Sequence, residues 1–179
     1  MSLFPAHTVE TAPVAARRTM AASEARLGYL PVAIAKMATA PQVLDGFLKI
    51  SAIFETTTLD PLAREVLIMT MAARNGCHLC VAMHTAKLAK LEADPEIVKA
   101  LREQRPLPDE RLEAIRVFTL DVLATAGAVS EESMRDFQLH GYTSQNALEV
   151  VLGIGAYTLS TFANRMTGAP IDEQLAAFA

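Results

Sequence analysis

Asp60-Pro61 and Asn75-Gly76 bracket the stretch that most restricts how this chain can fold. Asp followed by Pro is a helix start, with Asp as N-cap and Pro at the first helical position. Asn-Gly is a turn and helix stop. Between them, Leu62 to Arg74 carries no breaker and is strongly apolar. A second helix is expected from Cys77 to about Leu91. The two form an antiparallel hairpin if Asn75-Gly76 makes a tight turn. That hairpin holds both cysteines of the chain, Cys77 and Cys80, as a C-x-x-C pair, and two of its four histidines, His78 and His84.

The remaining punctuation predicts more helices. Pro31 is read as opening a short helix through Met37, and Pro41 one through Phe54. In the latter, Val43, Phe47, Ile50 and Phe54 fall on one face. Asp94-Pro95 starts a third short segment. Asp109 to Ala126 is amphipathic and stops at Gly127. Ser130 caps a helix ending near His140-Gly141, and Thr143 or Ser144 caps a long one through about Met166. The middle of that long helix is apolar nearly all round, which predicts burial on every side. A short tail helix is expected over Asp172 to Phe178. No strand alternation and no repeat is evident. The reading is all-α, about seven to nine helices, with residues 1–13 as an extended arm and 14–179 as one helical domain.

Several function classes are disfavoured. Net charge is −4 with no basic run, which argues against nucleic acid. The longest apolar stretch without charge, Val150 to Ala163, has 14 residues, short for a bilayer span. No signal-peptide pattern is visible, so a cytoplasmic location is expected. There, a lone C-x-x-C is a better redox or metal site than a structural staple. The hydrophobic share of 51% suggests a subunit that buries surface against copies of itself.

The spacing carries the chemistry. On a helix Cys77, Cys80 and His84 share one stripe, with Cys80 and His84 as direct neighbours. The imidazole is therefore expected to exchange a proton with the Cys80 sulfur. Both cysteines fall in the first turn, where the helix dipole lowers thiol pKa values. Glu65 lies roughly 15 Å before the turn and His84 roughly 12 Å after it, at 1.5 Å per residue. The two are about level. A buried carboxylate needs a partner, and His84 is the candidate; pairing with Arg64 or Arg74 is the alternative. His78 points elsewhere and is at most accessory. Lys87, Lys90, Lys99 and Arg102 read as a solvated face, and Asn164 as packing or interface. His140 reads as a helix-end cation and His7 as part of the arm. Met69, Met71 and Met83 read as core filler.

The pattern E-x(11)-C-x-x-C-x-x-x-H, here Glu65, Cys77, Cys80 and His84, resembles the AhpD-like branch of the carboxymuconolactone decarboxylase family. The resemblance extends from about Pro41 to Asp172, including the F-A-N-R-M-T-G-A-P-I-D ending. Some members place a histidine directly before the second cysteine; Leu79 stands there in this chain. The resemblance implies an all-helical subunit of a trimer or hexamer acting as a peroxidase on hydrogen peroxide or organic hydroperoxides. Cys80 would attack the peroxide and Cys77 would resolve the product as a disulfide. His84 and Glu65 would relay protons, and a lipoyl or thioredoxin-like dithiol protein would restore the thiols. No cofactor is called for. Three readings stay beside it: a redox sensor, a lactone-decarboxylating relative, and a zinc site. Three ligands from one helix make tetrahedral closure of such a zinc site awkward.

Overall fold

The structure is a computed structural model that describes residues 3–179. Among the described residues there are nine α-helices, one 3-10 helix and no strand. The α-helices are α1 (Val14–Leu27), α2 (Val32–Met37), α3 (Pro41–Phe54), α4 (Pro61–Arg74), α5 (His78–Lys90), α6 (Pro95–Arg102), α7 (Glu110–Ala124), α8 (Glu131–Leu139) and α9 (Ser144–Thr167). The expected tail helix is a 3-10 helix, Glu173–Phe178.

The breakers act where the sequence places them. Asp60 caps α4 by accepting from the Ala63 N–H at 2.9 Å, and Pro61 opens the helix. Asp94, Asp109 and Ser130 cap α6, α7 and α8 in the same way. Thr143 and Asn146 form a reciprocal capping box on α9. Gly28 and Gly168 end α1 and α9 in the left-handed conformation.

Helix α4 is the centre. Val66, Leu67, Ile68, Met69, Met71 and Ala72 are all fully buried. The helix is apolar on every side because α5, α6, α7 and α9 surround it. Helix α9 runs along both α3 and α4. At their crossing, a Cβ on Gly153 would come within 2.7 Å of the Phe54 ring and 2.9 Å of Leu67 Cδ2. Glycine is there so that the helices approach this closely.

The expectation that the middle of α9 is buried on every side is not met. Leu148, Val151, Phe162 and Met166 stand exposed, while Val150, Ala156 and Tyr157 on the opposite side are buried. The composition made α9 look like a core helix, yet only one side of it meets α3 and α4. Among the described residues no helix is long and apolar enough to cross a membrane.

Gly153→Ala should lower the thermal midpoint by several degrees. Overpacking costs about 1–3 kcal/mol, against roughly 1 kcal/mol gained in helix propensity. An unchanged or raised midpoint in calorimetry would show that Phe54 yields freely.

Candidate active site

The α4–α5 hairpin turns at Asn75 and Gly76, the latter at φ +62°. The Asn75 side chain donates to Thr161 Oγ1 on α9 at 2.9 Å, which ties the turn to the wall behind it. Cys77 is the N-cap residue of α5, and Cys80 lies in its first turn. Both cysteines are free and buried. Their sulfurs are 2.7 Å apart.

The hairpin brings Glu65 level with His84. Glu65 Oε2 and His84 Nδ1 lie 2.6 Å apart, both nearly closed to solvent. Lys87, one turn along α5, donates to the other carboxylate oxygen, Oε1, at 3.3 Å. Burial pushes the Glu65 carboxyl up, but the His84 and Lys87 charges and hydrogen bonds outweigh it and hold it below its ordinary range. Lys87 also reaches Glu55 at 3.3 Å, so the buried pair has a charged outlet at the surface. Tyr157 of α9 sets its ring edge-on to His84, with centroids 5.5 Å apart.

Four sequence expectations are corrected here. First, among the described residues no hydrogen bond joins His84 to either sulfur. The imidazole is drawn to Glu65, and Cys80 is engaged by Cys77 and Asn164. Second, the two thiols do not share one depressed pKa. Cys77 is lowered to about 7, first by its hydrogen bond with Cys80, against burial, and then by the Cys80 backbone N–H, the Asn164 amide and the Arg165 charge. Cys80 is raised, by the same hydrogen bond, by burial and by the Cys77 charge. Two sulfurs this close share one proton, so the first ionisation is eased and the second is opposed.

Third, Lys87 and Arg102 are not merely a solvated face. Lys87 holds Glu65, and Arg102 donates to Thr85 Oγ1 at 3.2 Å and to the Phe178 carbonyl at 2.9 Å. Fourth, Asn164 does more than pack. Its Nδ2 donates to Cys80 Sγ at 3.3 Å from a buried position on α9. No spacing rule links positions 80 and 164; only the packing of α9 on the hairpin does. Asn164 sits in the F-A-N-R ending, which was the one available signal.

The other histidines lie apart. His78 is exposed at the first position of α5. His7 faces Thr39 Oγ1, and His140 follows α8, its Nδ1 2.9 Å from the Asp136 carbonyl. Glu65 does not pair with Arg64 or Arg74; Arg64 pairs with Glu55 instead. Met69 and Met71 are fully buried core, and Met83 packs beside the cysteines. Among the described residues no group of three or more His, Cys, Asp or Glu is placed to hold a metal ion.

The walls around the dithiol are apolar. Cys77, Leu79, Cys80 and Ala33 share a cluster with Leu175, and Ile171 and Phe178 pack against it. The C-terminal segment therefore packs against the α5 cluster that holds the sulfurs. It is anchored by Arg102 on the Phe178 carbonyl and by Asp172, which accepts from the Val32 N–H at 2.9 Å. A groove of about 570 Å³ between α7 and α8 lies away from the cysteines.

Residues 41–117 match the model of the carboxymuconolactone decarboxylase family. No curated protein sequence matches the chain. Among solved structures, an AhpD-core peroxidase-related protein from Ralstonia eutropha JMP134 is similar, with TM-score 0.84 and 21% identity over 97% of this chain and 94% of that one. A peroxidase-related protein from Silicibacter sp. TM1040 follows, with TM-score 0.79 and 17% identity over 97% and 92%. A cysteine variant of the debrominase Bmp8, in complex with 2,3,4-tribromopyrrole, gives TM-score 0.75 and 16% identity over 99% and 96%. The resemblance to the carboxymuconolactone decarboxylase family is thus found again in the family model over residues 41–117, and the AhpD-like fold in the structural matches. At these identities the matched structures speak for the fold alone.

Thiolate absorbance should rise by one thiolate per chain with a midpoint near about 7, and the second thiol should stay protonated well above that. Two thiolates with equal midpoints would dismiss the shared proton. Arg102→Ala loosens the tail by one hydrogen bond, about 1 kcal/mol. Alkylation of the native dithiol should then quicken about fivefold, and an unchanged rate would show that the tail does not limit access.

Proposed function

We propose that this chain is a thiol peroxidase of AhpD type. The observation that carries the reading is the buried sulfur pair, 2.7 Å apart and backed by a buried His84–Glu65 pair on the same hairpin. A redox dithiol needs two sulfurs close enough to join, one ionised sulfur to attack, and groups that hold and return protons. The hairpin brings all three into one small volume.

In the first step the Cys80 thiolate attacks the peroxide oxygen. The O–O bond breaks, sulfur gains the oxygen as a sulfenic acid, and the departing alkoxide or hydroxide takes a proton and leaves as alcohol or water. Cys77 ionises first in the resting pair, so Cys80 becomes the attacking thiolate only when its proton crosses the short gap to the Cys77 sulfur. In the second step the Cys77 sulfur attacks the Cys80 sulfur. The disulfide forms and the sulfenic oxygen leaves as water. A dithiol protein of lipoyl or thioredoxin type returns two electrons by exchange through a mixed disulfide.

Lys87 and Glu65 keep His84 oriented, so the imidazole remains a proton carrier rather than a ligand of the sulfur. The exposed apolar face of α9 suits packing against further copies, as a trimer or hexamer. His78, exposed at the helix start, has at most an accessory part. The apolar wall around the sulfurs favours an organic hydroperoxide over a highly polar substrate. It equally suits a halogenated aromatic, for which the same two electrons would release a halide; the debrominase among the structural matches makes that the comparison substrate.

Reduced protein should lose two thiols per chain for each equivalent of cumene hydroperoxide consumed. Cys80→Ser should abolish the reaction, and Cys77→Ser should stop at one sulfenic acid, trapped by dimedone. His84→Ala should slow peroxide consumption by about 10²-fold. Thiols left intact by peroxide, but oxidised with a bromopyrrole, would replace this reading with reductive dehalogenation.

A further inference from the structure

Among the described residues, the Asn164 carboxamide reaches a sulfur with one end and leaves the other without a partner. Asn164 is 4% exposed. Its Nδ2 donates to Cys80 Sγ at 3.3 Å. Its Oδ1 is buried with no hydrogen-bond partner among the described residues. A buried carbonyl oxygen without a donor is a cost that folded chains rarely leave in place. The two ends of an amide are about 2.3 Å apart, so this oxygen lies within about 5.6 Å of the Cys80 sulfur. Neighbouring residues of α9 point the same way: Ser160 supports Cys80 and Arg165 supports Cys77, and the Arg165 guanidinium lies over Gly76 at the hairpin turn. The backbone carbonyl of Asn164 has its own structural duties, accepting from Ala169 N–H and Thr167 Oγ1. The side chain has none besides the sulfur.

We propose that Asn164 is a catalytic residue with one group for each state of Cys80. Its N–H steadies the thiolate before reaction, and its unpartnered Oδ1 accepts the O–H hydrogen of the sulfenic acid afterwards. The second role follows from chemistry. A reduced thiolate offers only acceptor lone pairs, so the amide N–H is used and the oxygen is idle. Adding one oxygen and one hydrogen to the sulfur creates the missing donor. With the O–H held by Oδ1, the sulfenic acid is fixed in one orientation while Cys77 attacks its sulfur. The S–O bond breaks, the S–S bond forms, and the oxygen departs as water with the Cys77 proton. The thiolate half stands on the geometry alone; the sulfenic half rests on the peroxidase reading.

The variant of choice is Asn164→Leu, close to isosteric and unable to hydrogen-bond. A structural role predicts a lower thermal midpoint. The catalytic role predicts a fold of ordinary stability, because the only bond lost is to sulfur. The thiolate half is measured in the Cys77→Ser background, by iodoacetamide alkylation of Cys80 against pH. Asn164→Leu should move the midpoint upward by about one pH unit, a tenfold loss of thiolate below it. An unmoved midpoint overturns the thiolate role. The sulfenic half is measured with both cysteines present, by stopped-flow disulfide closure after one equivalent of cumene hydroperoxide. Asn164→Leu should slow closure about tenfold, and Asn164→Asp, which keeps an acceptor oxygen, should recover most of that rate. Closure as fast as in the parent protein overturns the sulfenic role. If the parent itself leaves peroxide unreacted, the peroxidase reading and the sulfenic role fall together, while the alkylation midpoint still decides the thiolate role. If Asn164→Leu does not fold, Asn164→Ala is read by the same two measurements.

Discussion

Everything at the site depends on one buried contact, Glu65 Oε2 with His84 Nδ1, 2.6 Å apart across the α4–α5 hairpin. A carboxylate inside an apolar helix is tolerable only if charge and hydrogen bonds meet it there. Glu65 meets His84 on one oxygen and Lys87 on the other. That requirement fixes the rotation of α4 against α5. Once the rotation is fixed, Cys77 and Cys80 stand at the opposite end of the same stripe, facing α9 rather than solvent. The pair thus locks the hairpin one turn from the sulfurs.

Helix α9 is the second determinant. It meets the hairpin at three levels: Gly153 admits the Phe54 ring and Leu67, Thr161 receives the Asn75 side chain, and Asn164 reaches Cys80. The close approach allowed by Gly153 brings the later turns of α9 within hydrogen-bonding distance of α5. Core packing and site geometry are therefore the same fact seen at different turns of one helix. The Glu149 side chain belongs to the same wall. It accepts from the backbone N–H groups of Thr58 and Leu59 and so holds the loop from which α4 departs.

The dithiol is better described as a shared-proton pair than as two activated thiols. Helix position alone suggests lowered pKa values for both cysteines. At 2.7 Å separation the interaction between the sulfurs exceeds what the dipole offers either one, so the first charge settles and the second is refused. An attacking sulfur and a protonated sulfur side by side are what a two-step thiol reaction needs.

The helices were legible because their boundaries are local. Asp60-Pro61, Asp94-Pro95, Thr143 and Gly168 act within a few residues of themselves, and short-range sterics and capping decide them. The stripe of Cys77, Cys80 and His84 was legible for the same reason, since it follows from helical periodicity. The level placement of Glu65 followed from the turn and made His84 its candidate partner, but whether the two faced each other could not be read from the chain, because the rotation of one helix on another is set by packing. The pull of Glu65 on His84, the grip of Lys87, the packing of the tail and the reach of Asn164 over 84 positions are all contacts between separate helices. The exposed side of α9 belongs with them: apolar composition says that a helix can be buried, and only its neighbours decide which faces are. The sequence by itself therefore determined the helices, their ends and the residue types gathered at the candidate site. The tertiary structure alone decided which groups meet at the site, because that depends on distances of about 3 Å between groups the chain holds far apart.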